Sequence, residues 1–135
     1  SVLDVGCGSG VLAIAAARCG AGRVRAVDVA AAAVDATVDN ARRNGVEDRI
    51  EVDSATLDDV TGPFDLVVAN LLGPTLVGLA DQLRLATATD GRLVVSGILA
   101  DRHDHVLAAM TPMVVERTDV SDGWAAVTLR HPTAA

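Results

Sequence analysis

Asp4-Val5-Gly6-Cys7-Gly8-Ser9-Gly10 carries the clearest chemistry in the chain: an acid, then three glycines at alternate positions, directly after the apolar Val2-Leu3. Residues without a Cβ let the backbone take φ > 0 and come close to a ligand that a side chain would hold off. The alanine-rich Val11-Leu12-Ala13-Ile14-Ala15-Ala16-Ala17-Arg18 that follows suits a helix. Its N-terminal N–H groups and positive dipole end would face whatever sits over the glycines. Strand, glycine loop and helix together predict a nucleotide site. The spacing differs from the dinucleotide fingerprint G-x-G-x-x-G, since Val11 stands where that pattern wants its third glycine. This weighs against a nicotinamide oxidoreductase.

Three further polar residues close apolar runs. Asp28 ends Arg23-Val24-Arg25-Ala26-Val27, about twenty residues past the glycine loop, where an acid at the end of the neighbouring parallel strand can accept hydrogen bonds from both hydroxyls of a ribose. The alternative is an Asp that caps the next helix. Asp53 ends Arg49-Ile50-Glu51-Val52; it, or the backbone of Ser54-Ala55, can read an adenine edge, unless it is a turn residue beside the solvated Asp58 and Asp59. Asn70 ends Pro63-Phe64-Asp65-Leu66-Val67-Val68-Ala69, at the carboxyl end of a central strand, where open α/β sheets bind ligands. A cap or turn Asn is its alternative.

The elements needed to position these residues follow from periodicity. Val34, Val38 and Ala41 give Ala31 to Asn44 one apolar helical face, with Asp39 and Arg43 placed to pair at i, i+4. Pro74 opens a helix that should bury Leu76, Val77, Ala80 and Leu83. Asp90-Gly91 reads as a turn into the strand Arg92–Gly97, and Asp101 as the start of a helix carrying Val106, Leu107 and Met110. Pro112 to Val120 and Trp124 to Arg130, joined by Ser121-Asp122-Gly123, read as a hairpin. Strands alternating with helices and closing on a hairpin predict an α/β fold: a doubly wound, mostly parallel, Rossmann-like sheet with a C-terminal antiparallel hairpin, all in one domain, residues 1–135.

Bulk composition narrows the function classes. Half of the 135 residues are hydrophobic but only Phe64 and Trp124 are aromatic, so the core is aliphatic, as in parallel sheets covered by helices. A formal charge of −7 with no Lys/Arg cluster argues against nucleic-acid binding; an acidic surface serves solubility or a cationic substrate. Cys7 and Cys19 form neither a disulfide framework nor a metal-ligand spacing, which fits a reducing cytoplasm. Cys7 reads as a small residue filling the loop, a redox role being the alternative. His103 and His105 are two apart, on different sides of a helix, so no metal site is expected. The longest uncharged run, Leu66 to Ala80, is too short for a membrane span and is broken by Asn70, Gly73 and Pro74, so a soluble protein is expected. A chain that begins at Ser1 directly on a strand reads as a fragment.

The Asp-x-Gly-x-Gly-x-Gly of residues 4–10 resembles the first motif of class I S-adenosylmethionine-dependent methyltransferases. Val67-Val68-Ala69-Asn70-Leu71-Leu72, Gly91–Leu99 and Gly123–Arg130 together resemble the PrmA family, bacterial methyltransferases of a large-subunit ribosomal protein. The resemblance covers the whole chain as that family's catalytic domain and implies a seven-stranded sheet in the order 3-2-1-4-5-7-6. It implies S-adenosylmethionine as cofactor, with Gly6, Cys7, Gly8, Ser9 and Gly10 at its methionine side and Asp4 facing its amino group directly or through water. Asp28 and Val29 would hold the ribose end, and Asp53 and Ser54 the adenine end. Asn70 would orient the acceptor amine, helped by the backbone carbonyl of Leu71 or Leu72. The family trimethylates lysine ε-amines and an N-terminal α-amine, recognising its ribosomal protein partner through a separate N-terminal domain. That domain, and the Gly/Thr-rich stretch preceding the first strand, are expected to lie outside this sequence. The catalytic domain is expected to act as a monomer. Ala30 and Ala31 replace the usual Asp-Pro, and loss of such a cap costs about 1 kcal/mol. A small-molecule methyltransferase of the same fold, and a cofactor-binding fragment without turnover, stay as alternatives.

Overall fold

All four residues of β1, Val2–Val5, are buried, so this short strand lies inside the sheet and not at its edge. The computed structural model describes residues 1–134. After β1 come α1 (Val11–Arg18), β2 (Val24–Val27), α2 (Ala31–Arg43), β3 (Ile50–Asp53), β4 (Phe64–Asn70), α3 (Gly73–Gly78), α4 (Ala80–Ala86), β5 (Thr87–Leu99), α5 (Asp104–Ala109), β6 (Val114–Ser121) and β7 (Trp124–Arg130). The seven strands form one sheet in the order β3-β2-β1-β4-β5-β7-β6. β3, β2, β1, β4 and β5 run parallel, while β7 pairs antiparallel with both β5 and β6.

Strand order reverses between β1 and β4, because the chain winds outward from β1 to β3 and then returns to β1's other side. Loops leaving β1 and β4 therefore diverge and open a crevice at the carboxyl end of the sheet, the usual ligand position in such folds. Two apolar layers hold this arrangement. On one face α1 and α2 bury Ala13, Ile14, Ala17 and Ala41 against Val2, Val24 and Ala26. On the other face, Leu76, Leu83, Val106 and Met110 from the later helices pack on Leu3, Val67, Leu93, Val95 and Val127. Each fully buried Leu contributes about 1.5–3 kcal/mol relative to exposure. Along β4, β5 and β7 the first face keeps Val68, Val94, Ala126 and Thr128 only half-buried, since no described helix covers them.

Four local expectations are corrected. The helix expected after Pro74 is broken at Leu79, which ends α3 and begins α4 with non-helical geometry (φ −101°, ψ 4°) next to helix-weakening Gly78. Val77 consequently stands exposed, while Leu76, Ala80 and Leu83 are buried. Asp90-Gly91 is strand and not turn: β5 begins at Thr87, and a Cβ on Gly91 would lie 2.8 Å from the Asp65 carbonyl oxygen. The last helix starts at Asp104. On α2 it is Arg42, not Arg43, that approaches Asp39, at 4.0 Å. The hairpin forms as expected, its two-residue turn Asp122-Gly123 taking φ 51° and 79°.

Candidate functional site

The loop after β1 turns on Gly6, Gly8 and Gly10, with φ of 73°, 55° and 87°. Two of these positions show why no side chain is tolerated or needed. A Cβ on Gly10 would lie 2.9 Å from Thr37 Cγ2 of α2, whereas one on Gly8 would meet nothing within 4 Å, so the loop is packed beneath and open above. The loop is held by its neighbours. Gly6 and Cys7 N–H donate to the Val27 carbonyl at 2.8 and 3.0 Å. The Thr37 hydroxyl donates to the Gly8 carbonyl at 3.0 Å, and Asn40 Nδ2 to the Ser9 carbonyl at 2.8 Å. Burial pushes the Cys7 thiol's pKa up, and Thr37 Oγ1 lies 3.4 Å from its sulfur. Cys7 is therefore a neutral packing group in the loop.

Asp4, Asp28 and Asp53, the acids of β1 and of the ends of β2 and β3, have three different sets of partners. Asp4 lies under it, 1 % exposed, and accepts a 3.0 Å hydrogen bond from Ala13 N–H in the first turns of α1. Burial pushes its pKa up to about 6; the Ala13 N–H opposes the shift, and the Asp28 charge adds to it. Asp28 accepts from Gly8 N–H through Oδ2 and from Ala30 N–H through Oδ1, both at 2.9 Å. It is both the acid beside the glycine loop and the group that fixes the start of α2, where Ala30 itself provides no side-chain cap. Asp53 is spoken for elsewhere: it accepts from Ala55 N–H at 2.8 Å and pairs with Arg25 Nη2 at 2.7 Å. The Ala55 N–H first, and Arg25 second, hold its carboxyl below the usual range.

Two clefts meet at the end of β4. The first, about 280 Å³, is lined by Gly6, Asp28, Val29, Thr56, Leu57 and Leu71 among others. Val29 is 87 % exposed, an apolar side chain standing free at its mouth. The second, about 590 Å³, is lined by Asn70, Ser96, Gly97, Asp119, Trp124 and Ala126 among others. Asn70, Ser96, Ala126 and Asp119 are one row across β4, β5, β7 and β6. Asn70 and Leu71, adjacent in sequence, thus face different clefts. A further groove of about 430 Å³ past Pro63 and Thr87, away from the glycine loop and the end of β4, has Asp58 as its one titratable lining group.

The model of the ribosomal protein L11 methyltransferase (PrmA) family matches residues 1–132. The chain belongs to that family. A ribosomal protein L11 methyltransferase from Methylococcus capsulatus is 48 % identical over 127 residues, covering 92 % of this chain and 43 % of the relative. The chain thus spans under half the length of that relative. A crystal structure of ribosomal protein L11 methylase from Lactobacillus delbrueckii subsp. bulgaricus superposes with a TM-score of 0.92 at 33 % identity, covering 98 % of this chain and 70 % of that one. An RNA methyltransferase from Salinibacter ruber, solved in complex with S-adenosyl-L-homocysteine, shares the fold at a TM-score of 0.79 and 20 % identity.

Within this family member, Gly6, Asp28, Val29 and Leu71 come together on one cleft, and Cys7, Gly8, Ser9 and Gly10 complete the loop at its edge. Asp4 supports that loop from below. Asp53 and Ser54 do not line the cleft; Ala55, Thr56 and Leu57, just beyond them, do. Sequence reasoning missed Thr37, Asn40 and Gly97. Thr37 carried a signal, since it lies three residues after Val34 and four before Ala41 on the buried face of α2. Asn40 and Gly97 carried none that periodicity reads.

Proposed function

We propose that this domain transfers the methyl group of S-adenosylmethionine to protein amines of a large-subunit ribosomal protein, both lysine ε-amines and an N-terminal α-amine. The observation that carries the reading is the adjacency of Asn70 and Leu71, one residue in each of two clefts that meet at the switch point of the sheet. The first cleft suits the cofactor. Gly8 leaves open space over the loop, Asp28 presents a carboxylate at the end of β2, and Val29, Leu57 and Leu71 add apolar walls. Its size is near the lower end of small-molecule sites, about 300 Å³.

S-Adenosylmethionine, when bound, supplies a sulfonium methyl that is already electrophilic. The chain's residues then have to align an uncharged amine behind that carbon, and positioning of this kind lowers the barrier by removing translational and rotational freedom. Asp28 would hold the ribose hydroxyls with the lone pairs that Gly8 and Ala30 N–H leave free. Asp4, buried under the loop, would face the cofactor's amino group directly or through water. Asn70 has no basic site, but its Oδ1 accepts an amine N–H and so aims the nitrogen lone pair, with the Leu71 carbonyl as a second acceptor. Asn70 can accept only from an amine that has already lost its extra proton if the nitrogen lone pair is to be free for attack. At pH 7 that loss costs about 4.6 kcal/mol for a lysine of pKa about 10.4 and about 1.4 kcal/mol for an α-amine near 8.

The test is incubation of the chain with ribosomal protein L11 and methyl-labelled S-adenosylmethionine, with the products mapped by mass spectrometry. Label on lysine and N-terminal amines is expected. Label confined to added small amines would replace this reading with a small-molecule methyltransferase. A cofactor-binding module without turnover is the second reading the same experiment separates. Cofactor binding with no transfer to any amine is the result which that reading predicts.

A further inference from the structure

Gly97 stands where β5 loses its register. Ser96 pairs with Ala126 and Ile98 with Ala125, so Gly97 is the extra residue of a β-bulge, with φ 79°. Bulges of this kind bend a strand and re-aim the side chains beside them. Here the neighbour is the end of β4: Asn70 is in register with Ser96, and Leu71 N–H donates to the Ser96 carbonyl at 3.3 Å. The chain through Asn70 and Leu71 is thus tied to β5 one residue before the bulge.

What occupies the space beside Gly97 is specific. A Cβ there would overlap Asn70 Oδ1 and would lie 3.4 Å from the Leu71 carbonyl oxygen. Two oxygen acceptors from consecutive residues therefore converge on one bare Cα, which lines the 590 Å³ cleft beside them. A left-handed φ alone does not demand such an environment: Gly123 has the same φ of 79° and nothing within 4 Å of its missing side chain.

We infer that Gly97 is a positioning residue for methyl transfer, the bulge it makes in β5 leaving the space in which Asn70 Oδ1 and the Leu71 carbonyl are aimed at the incoming amine. It touches no reacting atom and acts through Asn70. Any side chain at 97 turns the carboxamide away while leaving the glycine loop and Asp28 intact. The inference rests on the methyl-transfer reading above, so its test uses binding and not turnover.

Two cofactor analogues separate the effects: S-adenosylhomocysteine, which lacks the methyl group, and sinefungin, in which an amine-bearing carbon replaces the methylsulfonium. Calorimetric titration of the wild-type chain should show sinefungin the tighter ligand by roughly tenfold, as one charge-assisted hydrogen bond supplies. Gly97→Ala and Asn70→Ala should each erase that preference while holding S-adenosylhomocysteine affinity within about twofold, and the double variant should lose no more than either single one. Gly123→Ala, with the same backbone strain, should keep the preference. Should Gly97→Ala fail to fold, Gly97→Asn keeps the side-chain conflict with less strain, since Asn tolerates positive φ. A Gly97 variant that binds S-adenosylhomocysteine and retains the sinefungin preference overturns the inference, as does a wild-type chain that binds both ligands equally. A wild-type chain that binds neither overturns the cofactor reading itself.

Discussion

Asp28 is the residue on which the cleft beside the glycine loop depends most, because each of its carboxylate oxygens fixes one backbone N–H and the residue lines that cleft. Asp28→Ala should raise the dissociation constant for S-adenosylmethionine by roughly tenfold to a hundredfold, since hydrogen bonds to charged groups are worth about 1.5–3 kcal/mol. Calorimetry checks this, and unchanged binding would remove Asp28 from the site. Asn70→Ala should behave oppositely, keeping cofactor affinity and losing about a hundredfold in transfer rate, the usual penalty for a misplaced reactant. An affinity loss as large as the rate loss would refute its positioning role. Asp4 predicts a pH dependence. Its folded pKa of about 6 exceeds the ordinary 3.8, so the native state binds the proton more tightly than the unfolded chain. Stability from this group is fully present below about pH 4 and is lost as pH rises through 6, a total near 3 kcal/mol. Thermal melts should show Asp4→Asn, which keeps an acceptor for Ala13 N–H, gaining on the wild type between pH 5 and 7.5; parallel curves would contradict the shift.

At the scale of elements, the glycine loop is supported from α2 and not only from the strand that feeds it. Thr37 is fully buried, donates to the Gly8 carbonyl and closes under Gly10. Thr37→Val keeps the shape, strands that carbonyl and should cost about 1–2 kcal/mol in denaturant unfolding, together with weaker cofactor binding. An unchanged midpoint would mean that the loop does not rely on this contact. The sequence shows α2's apolar face through Val34, Val38 and Ala41, yet cannot show that the polar member of the same face is the one that reaches the loop. Asp53 illustrates a similar limit. Its place at a strand end is legible, but the partner that turns its carboxylate aside, Arg25, belongs to the neighbouring strand and comes close only through β2–β3 pairing. The break at Leu79, the early start of β5 and the bulge at Gly97 depend likewise on tertiary contacts that override local propensity.

For the molecule as a whole, alternation of aliphatic runs with helical periodicity makes the α/β architecture legible, and Asp122-Gly123 marks the closing hairpin. Neither signal orders the strands; the 3-2-1-4-5-7-6 order came from resemblance and stands in the structure. That order makes the site, because β1 and β4 are adjacent only through the reversal, and this brings the glycine loop and Leu71 to one cleft. Aliphatic runs in β4 and β5 suggested cover on both faces, whereas Val68 and Val94 stay half-exposed among the described residues. This cleft beside the glycine loop draws on β1, β2, the segment after β3 and the end of β4, so any misordering would disperse it. The most direct measurement is therefore a calorimetric titration of this chain with S-adenosylmethionine and S-adenosylhomocysteine, with NADH alongside. Binding of both adenosyl sulfur ligands, lost or much weakened in Asp28→Ala, and no heat from NADH is the predicted result; NADH binding, or adenosyl binding indifferent to Asp28, would contradict it.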